Sequence, residues 1–387
     1  MRPLPAIASA PTRRYCSRMT DAPFDIFLVA TPGLEAPLAE EARAAGFTEA
    51  RITDGGVIFS GTWPDVRRAN LVLRGATRVL ARIASFRAVH LAQLDKRSRK
   101  LPWAELLRPD VPVQVEAACR RSRIYHAGAA AQRVANAIAD TVGAPVAADA
   151  PLRVMVRIED DLVTISLDTT GPSLHKRGFK AAVSKAPMRE TMAAMFLRQC
   201  GFDGSEPVLD PMCGSGTFPI EAAEIALGLL PGRERDFAFE LLPGFDNEAW
   251  AAMRRPPPPR DTPLLFHGSD RDAGAVRMAE ENAARAGVGA HTRFSRQPVE
   301  ELTPPEGPPG LVIVNPPYGA RIGDKGPLIA LHRNLGRVLQ ARFAGWRVGI
   351  VTADRQLAEA TGLAFGPALP PVLHGGIRIA LYRTDPL

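Results

Sequence analysis

Apolar and polar positions along this 387-residue chain change their rhythm partway through. Near the amino terminus, "FDIFLVATPGL" is a short apolar run closed by a Pro-Gly pair, which predicts a strand and a turn. "EAPLAEEARAAGF" then carries helical spacing with Gly46 as its stop, and "GGVIFSG" predicts another strand. This β-α-β alternation predicts a small α+β unit over residues 24–64. A second α+β unit is expected over residues 65–170. It takes a helix from about Pro64 to Ala76, then "RVLARIASFRAV", "VPVQVEAAC", the Ala-rich helix "AGAAAQRVANAIADTV", and the alternating "LRVMVRIED" and "LVTISLDTT".

From about Gly171 the pattern becomes short, fully apolar strands joined by helices. "PVLD" precedes a helix from Gly216 to Leu230, "LLFHGSD" precedes "AGAVRMAEENAARAGV", and "LVIVNPP" precedes "PLIALHRNLGRVLQARF". "RVGIVTA" and "IRIALYR" follow. Such strands predict a mostly parallel sheet covered on both faces, an α/β domain over residues 171–387. Ligands of these sheets sit beyond the carboxyl ends of the strands. "RRPPPPRDTP" and "TPPEGPPG" mark surface loops, and neither an internal repeat nor a heptad run is present. Residues 1–23 have arginines and little acid, a superficial likeness to a transit peptide. They read as a disordered tail, with Met19 as an alternative start.

Composition adds three expectations. No apolar run approaches the roughly 20 residues of a membrane span, so a soluble protein is expected. Cys16, Cys119, Cys200 and Cys213 are scattered without a CxxC pair, which argues against a zinc site or disulfide framework and fits a cytoplasmic location. The net charge of +7 favours a polyanionic partner such as nucleic acid. Between Arg67 and Arg133 there are fifteen basic residues and four acids. Two clusters stand out: "DKRSRK", with Lys96, Arg97, Arg99 and Lys100, and "CRRSRIYH", with Arg120, Arg121 and Arg123 beside Tyr125. Both are candidate phosphate contacts, with a solvated face as the plain alternative.

The candidate chemistry lies in two stretches of the α/β domain. "LDPMCGSGTF" falls where a strand becomes a helix, where glycines let backbone amides approach a ligand. It lacks the GK[ST] ending of a P-loop and does not match GxGxxG. It resembles the first motif of S-adenosylmethionine-dependent methyltransferases. The next strand ends in "GSDRD", where Asp270 is placed to bond ribose hydroxyls and Asp272 to cap the following helix. "NPPY", Asn315, Pro316, Pro317 and Tyr318, is expected to end the strand after that one and to face the same pocket. An amino nitrogen conjugated to a ring is a poor nucleophile because its lone pair is delocalised. The Asn315 side-chain oxygen and the Pro316 carbonyl can accept its two N–H bonds, and Tyr318 can stack on an extruded base. Alignment then contributes most, and no metal is called for.

Together the two motifs resemble the amino-directed class I methyltransferases. "FLVATPGLE", "SLDTTGPSLHKRGF", "APMRETMAAMFL", "DPMCGSGTFPIEAA", "HGSDRDAGAVRMAEENAARAGV" and "NPPYGARI" follow in one order. That series resembles the bacterial 23S rRNA guanine-N2 methyltransferases that carry a THUMP domain, over nearly everything from Phe24 onward. The resemblance implies a ferredoxin-like unit, a THUMP RNA-binding module and a Rossmann-like catalytic domain. It implies that Asp210, Pro211, Cys213, Gly214, Ser215 and Gly216 line the methionine and ribose end of S-adenosylmethionine, with Thr191 nearby and Asp270 on the ribose. Asn315, Pro316, Pro317 and Tyr318 would then hold the target base. Lys176 and Arg177, in "HKRGF", would lie at the hinge, on phosphate or within a linker loop. Family members usually have an aspartate where "FSRQPVEEL" has Pro298, leaving the adenine to backbone groups or Gln297. Some relatives continue into a second methyltransferase half; this chain ends at Leu387, so only the first activity is implied. Alternatives are the same chemistry on tRNA, an N6-adenine enzyme, and an RNA-binding scaffold without catalysis.

Overall fold

The computed structural model of the chain describes residues 22–180, 188–255, 258–317 and 325–387. Residues 1–21 of the expected tail lie outside them. The first half runs β1 (Phe24–Val29), α1 (Glu35–Ala44), β2 (Arg51–Thr53), β3 (Gly56–Gly61), α2 (Trp63–Val72) and β4 (Arg78–Arg87). It continues through α3 (Leu91–Ser98), α4 (Trp103–Leu106), β5 (Val113–Arg120), α5 (Ala127–Val142), β6 (Leu152–Glu159) and β7 (Leu162–Asp168). All seven strands join one sheet in the order β2-β3-β1-β4-β7-β6-β5. β4 is its hinge, antiparallel to β1 on one side and to β7 on the other, so the two α+β units share a single ladder.

Period-2 patterning decides which face is buried. In β6, Leu152, Val154, Val156 and Ile158 join the main apolar cluster, while Arg153, Met155 and Arg157 point to the other face. α5 matches that face with Ala130, Val134, Ala137 and Ile138, one stripe of a 3.6-residue helix.

The second half adds α6 (Glu190–Gln199), β8 (Val208–Asp210), α7 (Thr217–Leu227), α8 (Asn247–Arg254), β9 (Phe266–Asp270), α9 (Ala273–Arg285) and β10 (Thr292–Arg296). It closes with β11 (Leu311–Val314), α10 (Lys325–Arg342), β12 (Arg347–Thr352), α11 (Arg355–Ala360), β13 (Val372–His374) and β14 (Ile377–Arg383). The sheet order is β10-β9-β8-β11-β12-β14-β13. β10, β9, β8, β11 and β12 are parallel; β14 runs antiparallel to β12 and β13. This is a Rossmann-like sheet. The chain winds outward from β8 through β9 to β10, then returns to the far side of β8 for β11. "NPPY" therefore does not end the strand next after β9 as expected, because β10 intervenes. It follows β11, the direct neighbour of β8. Between β8 and β11 lies the switch point where such sheets open a crevice.

One apolar cluster runs through both halves, uniting Leu38, Leu71 and Leu73 with Met192, Phe196 and Ala223. Beside it lies a buried ion network. Arg74 donates to Glu221 at 2.7 Å and to Glu224 at 3.3 Å, and Arg177 reaches Glu221 at 3.2 Å. Burial would raise Glu221, but Arg177 and Arg74 outweigh it and hold the carboxyl low; burial and the Glu221 charge raise Glu224. Removing one partner would strand a buried charge, at about 3–5 kcal/mol. Arg177 is 1% exposed and bonds Leu174, Arg74 and Glu221. That corrects the expectation of a phosphate contact: its guanidinium faces the interior. No helix among the described residues is long and apolar enough to cross a membrane.

Candidate functional site

At the end of the loop that follows β8, Gly216 opens α7 with φ +82°. A Cβ there would sit 2.9 Å from the Ala279 Cβ and 3.2 Å from its Cα, so only glycine lets α7 and α9 approach. The loop is tied to the neighbouring strand. Cys213 N–H donates to the Ser269 carbonyl at 2.9 Å, and Gly214 N–H donates to Asp270 Oδ2 at 3.1 Å. Gly268 stands under this contact, since a Cβ would meet the Phe294 ring at 2.7 Å and Cys213 Cβ at 3.0 Å.

Three strand ends form the floor. Asp210 ends β8 in register with Gly268 of β9, and Leu209 is in register with Val312 of β11. Asp270 and Asn315 thus extend two residues beyond the Asp210 level on either side. At about 4.8 Å between strands, their chains stand roughly 10 Å apart.

Its electrostatics are acidic and dry. Asp210 is 3% exposed, and its Oδ1 accepts from Met212 N–H at 3.0 Å. Burial raises its carboxyl to about 8, with the Asp270 charge adding and the Met212 bond opposing. Burial and the same two aspartates push the Cys213 thiol well above its ordinary value, so it is a packing group rather than a thiolate nucleophile. Asp270 accepts from Gly214 and, through Oδ1, from Asp272 N–H at 2.9 Å, leaving further lone pairs on both oxygens. Asp272 caps α9 by accepting from Gly274 N–H at 2.8 Å.

Thr191 Oγ1, Ser269 Oγ and Asn315 Oδ1 are buried without a hydrogen-bond partner. Native proteins leave few such atoms, and each calls for a partner. Thr191 is in the first turn of α6, Ser269 in β9, and Asn315 just past β11. Pro211 and Ser215 are buried in the loop, and Pro316 is buried beside Asn315 while Pro317 is exposed. Tyr318 lies outside the described residues. Gln297 donates through Nε2 to the Glu301 carbonyl at 2.8 Å and through its backbone to Asp270 at 3.0 Å, so its side-chain oxygen is what it offers a ligand.

Two supports escaped the sequence reading. Asn282, fully buried in α9, donates to the Ser215 carbonyl at 3.1 Å and steadies the loop from behind. Lys180 bonds Thr217 Oγ1 at 2.9 Å and Glu190 at 3.0 Å, joining the starts of α6 and α7. Asn282 had a legible signal, a polar residue inside the apolar stripe Ala275, Val276, Ala279 and Ala283. Ser269 had none. Among the described residues, no group of His, Cys, Asp and Glu could hold a metal ion.

The two basic clusters are not brought together. Arg99 pairs with Asp95 at 2.9 Å and with Asp140 at 2.7 Å, toward the end of α5, whereas Arg123 precedes its start. Thirteen residues of helix separate them, about 20 Å. Lys96, Arg97 and Lys100 are exposed, with Arg97 5.7 Å from the Phe86 ring centre. Arg120, Arg121 and Arg123 are exposed too, but the β6–β7 turn brings acids to them. Arg121 reaches Glu159 at 2.8 Å and Asp160 at 3.0 Å, while Arg120 lies 3.7 Å from Glu159 and Arg123 3.8 Å from Asp161. Those acids lie outside the window in which the charge was counted, so the free charge is lower than the linear pattern implied.

Comparison with known proteins agrees with this geometry. Residues 177–367 match the model of the RMKL-like methyltransferase domain, and residues 25–80 that of the RlmL ferredoxin-like domain. Ribosomal RNA large subunit methyltransferase K/L of Syntrophotalea carbinolica is 37% identical over 386 residues, 94% of this chain and 54% of its own. The chain thus spans about half the length of that relative. A candidate RNA methyltransferase of Synechocystis sp. is 31% identical, with 93% of this chain and 96% of its own covered. A solved structure described as a candidate methyltransferase complexed with SAH superposes at TM-score 0.83 with 27% identity, over 95% of this chain and 99% of its own. With the catalytic half matched and a relative spanned end to end, the chain belongs to the RMKL-like methyltransferase family.

Proposed function

We propose that the chain transfers a methyl group from S-adenosylmethionine to the exocyclic N2 amine of a guanine in 23S rRNA. The observation that carries this reading is the buried, unpartnered Asn315 Oδ1 at the end of β11, across the switch point from the Asp210 loop. The residues present suit the cofactor. The carboxyls of Asp210 and Asp270 complement its ammonium and ribose hydroxyls, the glycine loop admits its backbone-close approach, and Thr191 and Ser269 offer unsatisfied hydroxyls. Bound there, it supplies an electrophilic methyl on a sulfonium.

Asn315 Oδ1 and the Pro316 carbonyl accept the two amine hydrogens, which localises the nitrogen lone pair toward the methyl carbon. The N–C bond forms as the C–S bond breaks, and the cationic product nitrogen loses a proton to water. Tyr318, outside the described residues, is assigned from the sequence motif alone the role of stacking on the base. In this reading residues 24–64 are a ferredoxin-like unit, 65–170 a THUMP module whose basic residues meet RNA, and 171–387 the catalytic domain, working in the cytoplasm. Names of relatives that act on large-subunit RNA support the substrate class.

The test is transfer of labelled methyl from S-adenosylmethionine to transcripts of 23S rRNA and of tRNA. Label on the 23S transcript as N2-methylguanosine supports the reading. Label only on tRNA moves the substrate, and N6-methyladenosine changes the base.

A further inference from the structure

Gly216 turns the glycine loop into α7 between Ser215 and Thr217, and both neighbours are held by the same short stretch, Phe179 and Lys180. One arm reaches Ser215 through the end of α9. Arg285 donates from Nε to the Phe179 carbonyl at 2.9 Å and from Nη2 to Asn282 Oδ1 at 2.7 Å. Asn282 then donates from Nδ2 to the Ser215 carbonyl at 3.1 Å. The other arm is direct: Lys180 Nζ donates to Thr217 Oγ1 at 2.9 Å, to the Glu190 carboxylate at 3.0 Å and to the Met188 carbonyl at 3.4 Å. Phe179, Lys180, Ser215, Thr217 and Asn282 line one small cavity, so the two arms close around a shared space.

The stretch is itself fixed on its far side. Leu174 N–H donates to the Thr77 carbonyl at 3.0 Å and Arg177 to the Arg74 carbonyl at 2.9 Å, while the Phe179 ring is packed in the main apolar cluster. A guanidinium has donors and no acceptor, so Arg285 dictates which end of the Asn282 amide faces it. With Oδ1 turned to Arg285, Nδ2 is left for the Ser215 carbonyl. Arg285 also lies 3.7 Å from Glu281, but it is exposed on α9, unlike the buried Asn282 it orients.

We propose that Arg285 and Lys180 are positioning residues for the cofactor loop. Arg285 sets the Asn282 amide and through it holds Ser215, while Lys180 holds Thr217, so that the loop keeps the shape in which it meets its ligand. Both act through the loop and not on the ligand. This rests on the reading of that loop as the S-adenosylmethionine site.

The experiment titrates S-adenosylhomocysteine into the full chain by calorimetry, well below the melting temperature. The variants Arg285→Met and Lys180→Met keep the apolar stems and remove the donors. Each should weaken binding by about three- to tenfold, as the loss of one hydrogen bond does. Lys180→Arg, which still donates, should keep most of the affinity. Asn282→Leu should weaken binding like Arg285→Met, and combining the two should add little, because both cut one arm; Arg285→Met with Lys180→Met should multiply, because they cut different arms. Unchanged affinities with a lowered melting temperature overturn the proposal, leaving these contacts to folding alone. Full multiplication of Arg285→Met with Asn282→Leu overturns the relay through the amide. A wild-type chain that binds no S-adenosylhomocysteine overturns the cofactor reading together with the proposal.

Discussion

Replacing the Asp210 carboxyl with an amide, Asp210→Asn, should stabilise the protein while disabling it. The ordinary value of this carboxyl is 3.8, and burial raises it to about 8. A raised folded-state value means the folded protein favours the protonated acid, so the stabilisation is full below about pH 4 and is lost as pH climbs toward about 8. At about 1.4 kcal/mol per unit, ionising Asp210 in the fold costs on the order of 5 kcal/mol above pH 8 and about 4 at pH 7. The amide of the variant does not titrate. It brings two donors to a site with few acceptors, which takes back roughly 1–3 kcal/mol. The variant should therefore exceed wild type by roughly 2–4 kcal/mol at pH 8, with the gap nearly closed at pH 5. Thermal melts of the ligand-free proteins at pH 5, 6.5 and 8 read this directly. In the proposed arrangement Asp210 would face the ammonium of the cofactor, so at pH 8, where its carboxyl ionises, S-adenosylhomocysteine should bind the variant at least about tenfold more weakly. A gap between the melts that stays flat with pH would refute the reasoning, since it would mean Asp210 does not carry its charge into a dry site.

Three further outcomes are expected. Asn315→Ala should lower turnover by roughly a hundredfold or more while S-adenosylhomocysteine affinity stays within about threefold, since the proposed role of Asn315 is to hold the base rather than the cofactor; single-turnover rates and calorimetry separate the two. Gly216→Ala should cost about 1–3 kcal/mol and weaken cofactor binding, from positive φ and the 2.9 Å approach to Ala279. Adding Ala279→Gly should recover part of the melting temperature, and no recovery would leave the clash unsupported. Neutralising Arg120, Arg121 and Arg123 together should reduce the RNA salt slope by about 1 rather than the roughly 3 of free charges, because Glu159, Asp160 and Asp161 already answer them. A fall near 3 in a binding titration would show that RNA displaces those pairs.

The α/β half was legible because its signals are local. Apolar strands such as "LVIV", a glycine loop at a strand end and an aspartate at the next strand end each carry their meaning within a few residues. The same locality explains the misses. That β11 sits beside β8, with β10 outside β9, is a matter of crossover order, to which periodicity is blind. β4 joins two units into one sheet through pairings with β1 and β7 that span dozens of residues. Charge counts along the chain overlooked Glu159 to Asp161, which fold back beside the arginines, and could not distinguish Arg177, sealed in an ion network, from its exposed neighbour Lys176. α3 carries only Leu94 and Ser98 toward the core, too thin a stripe for a periodic signal.

The central claim is the base and the RNA on which the pocket acts. Nucleoside mass spectrometry of 23S rRNA and tRNA, purified separately from cells with and without the gene, tests it most directly. Loss of N2-methylguanosine from the 23S fraction alone is the predicted result. Loss from tRNA, or loss of N6-methyladenosine with N2-methylguanosine intact, would contradict it.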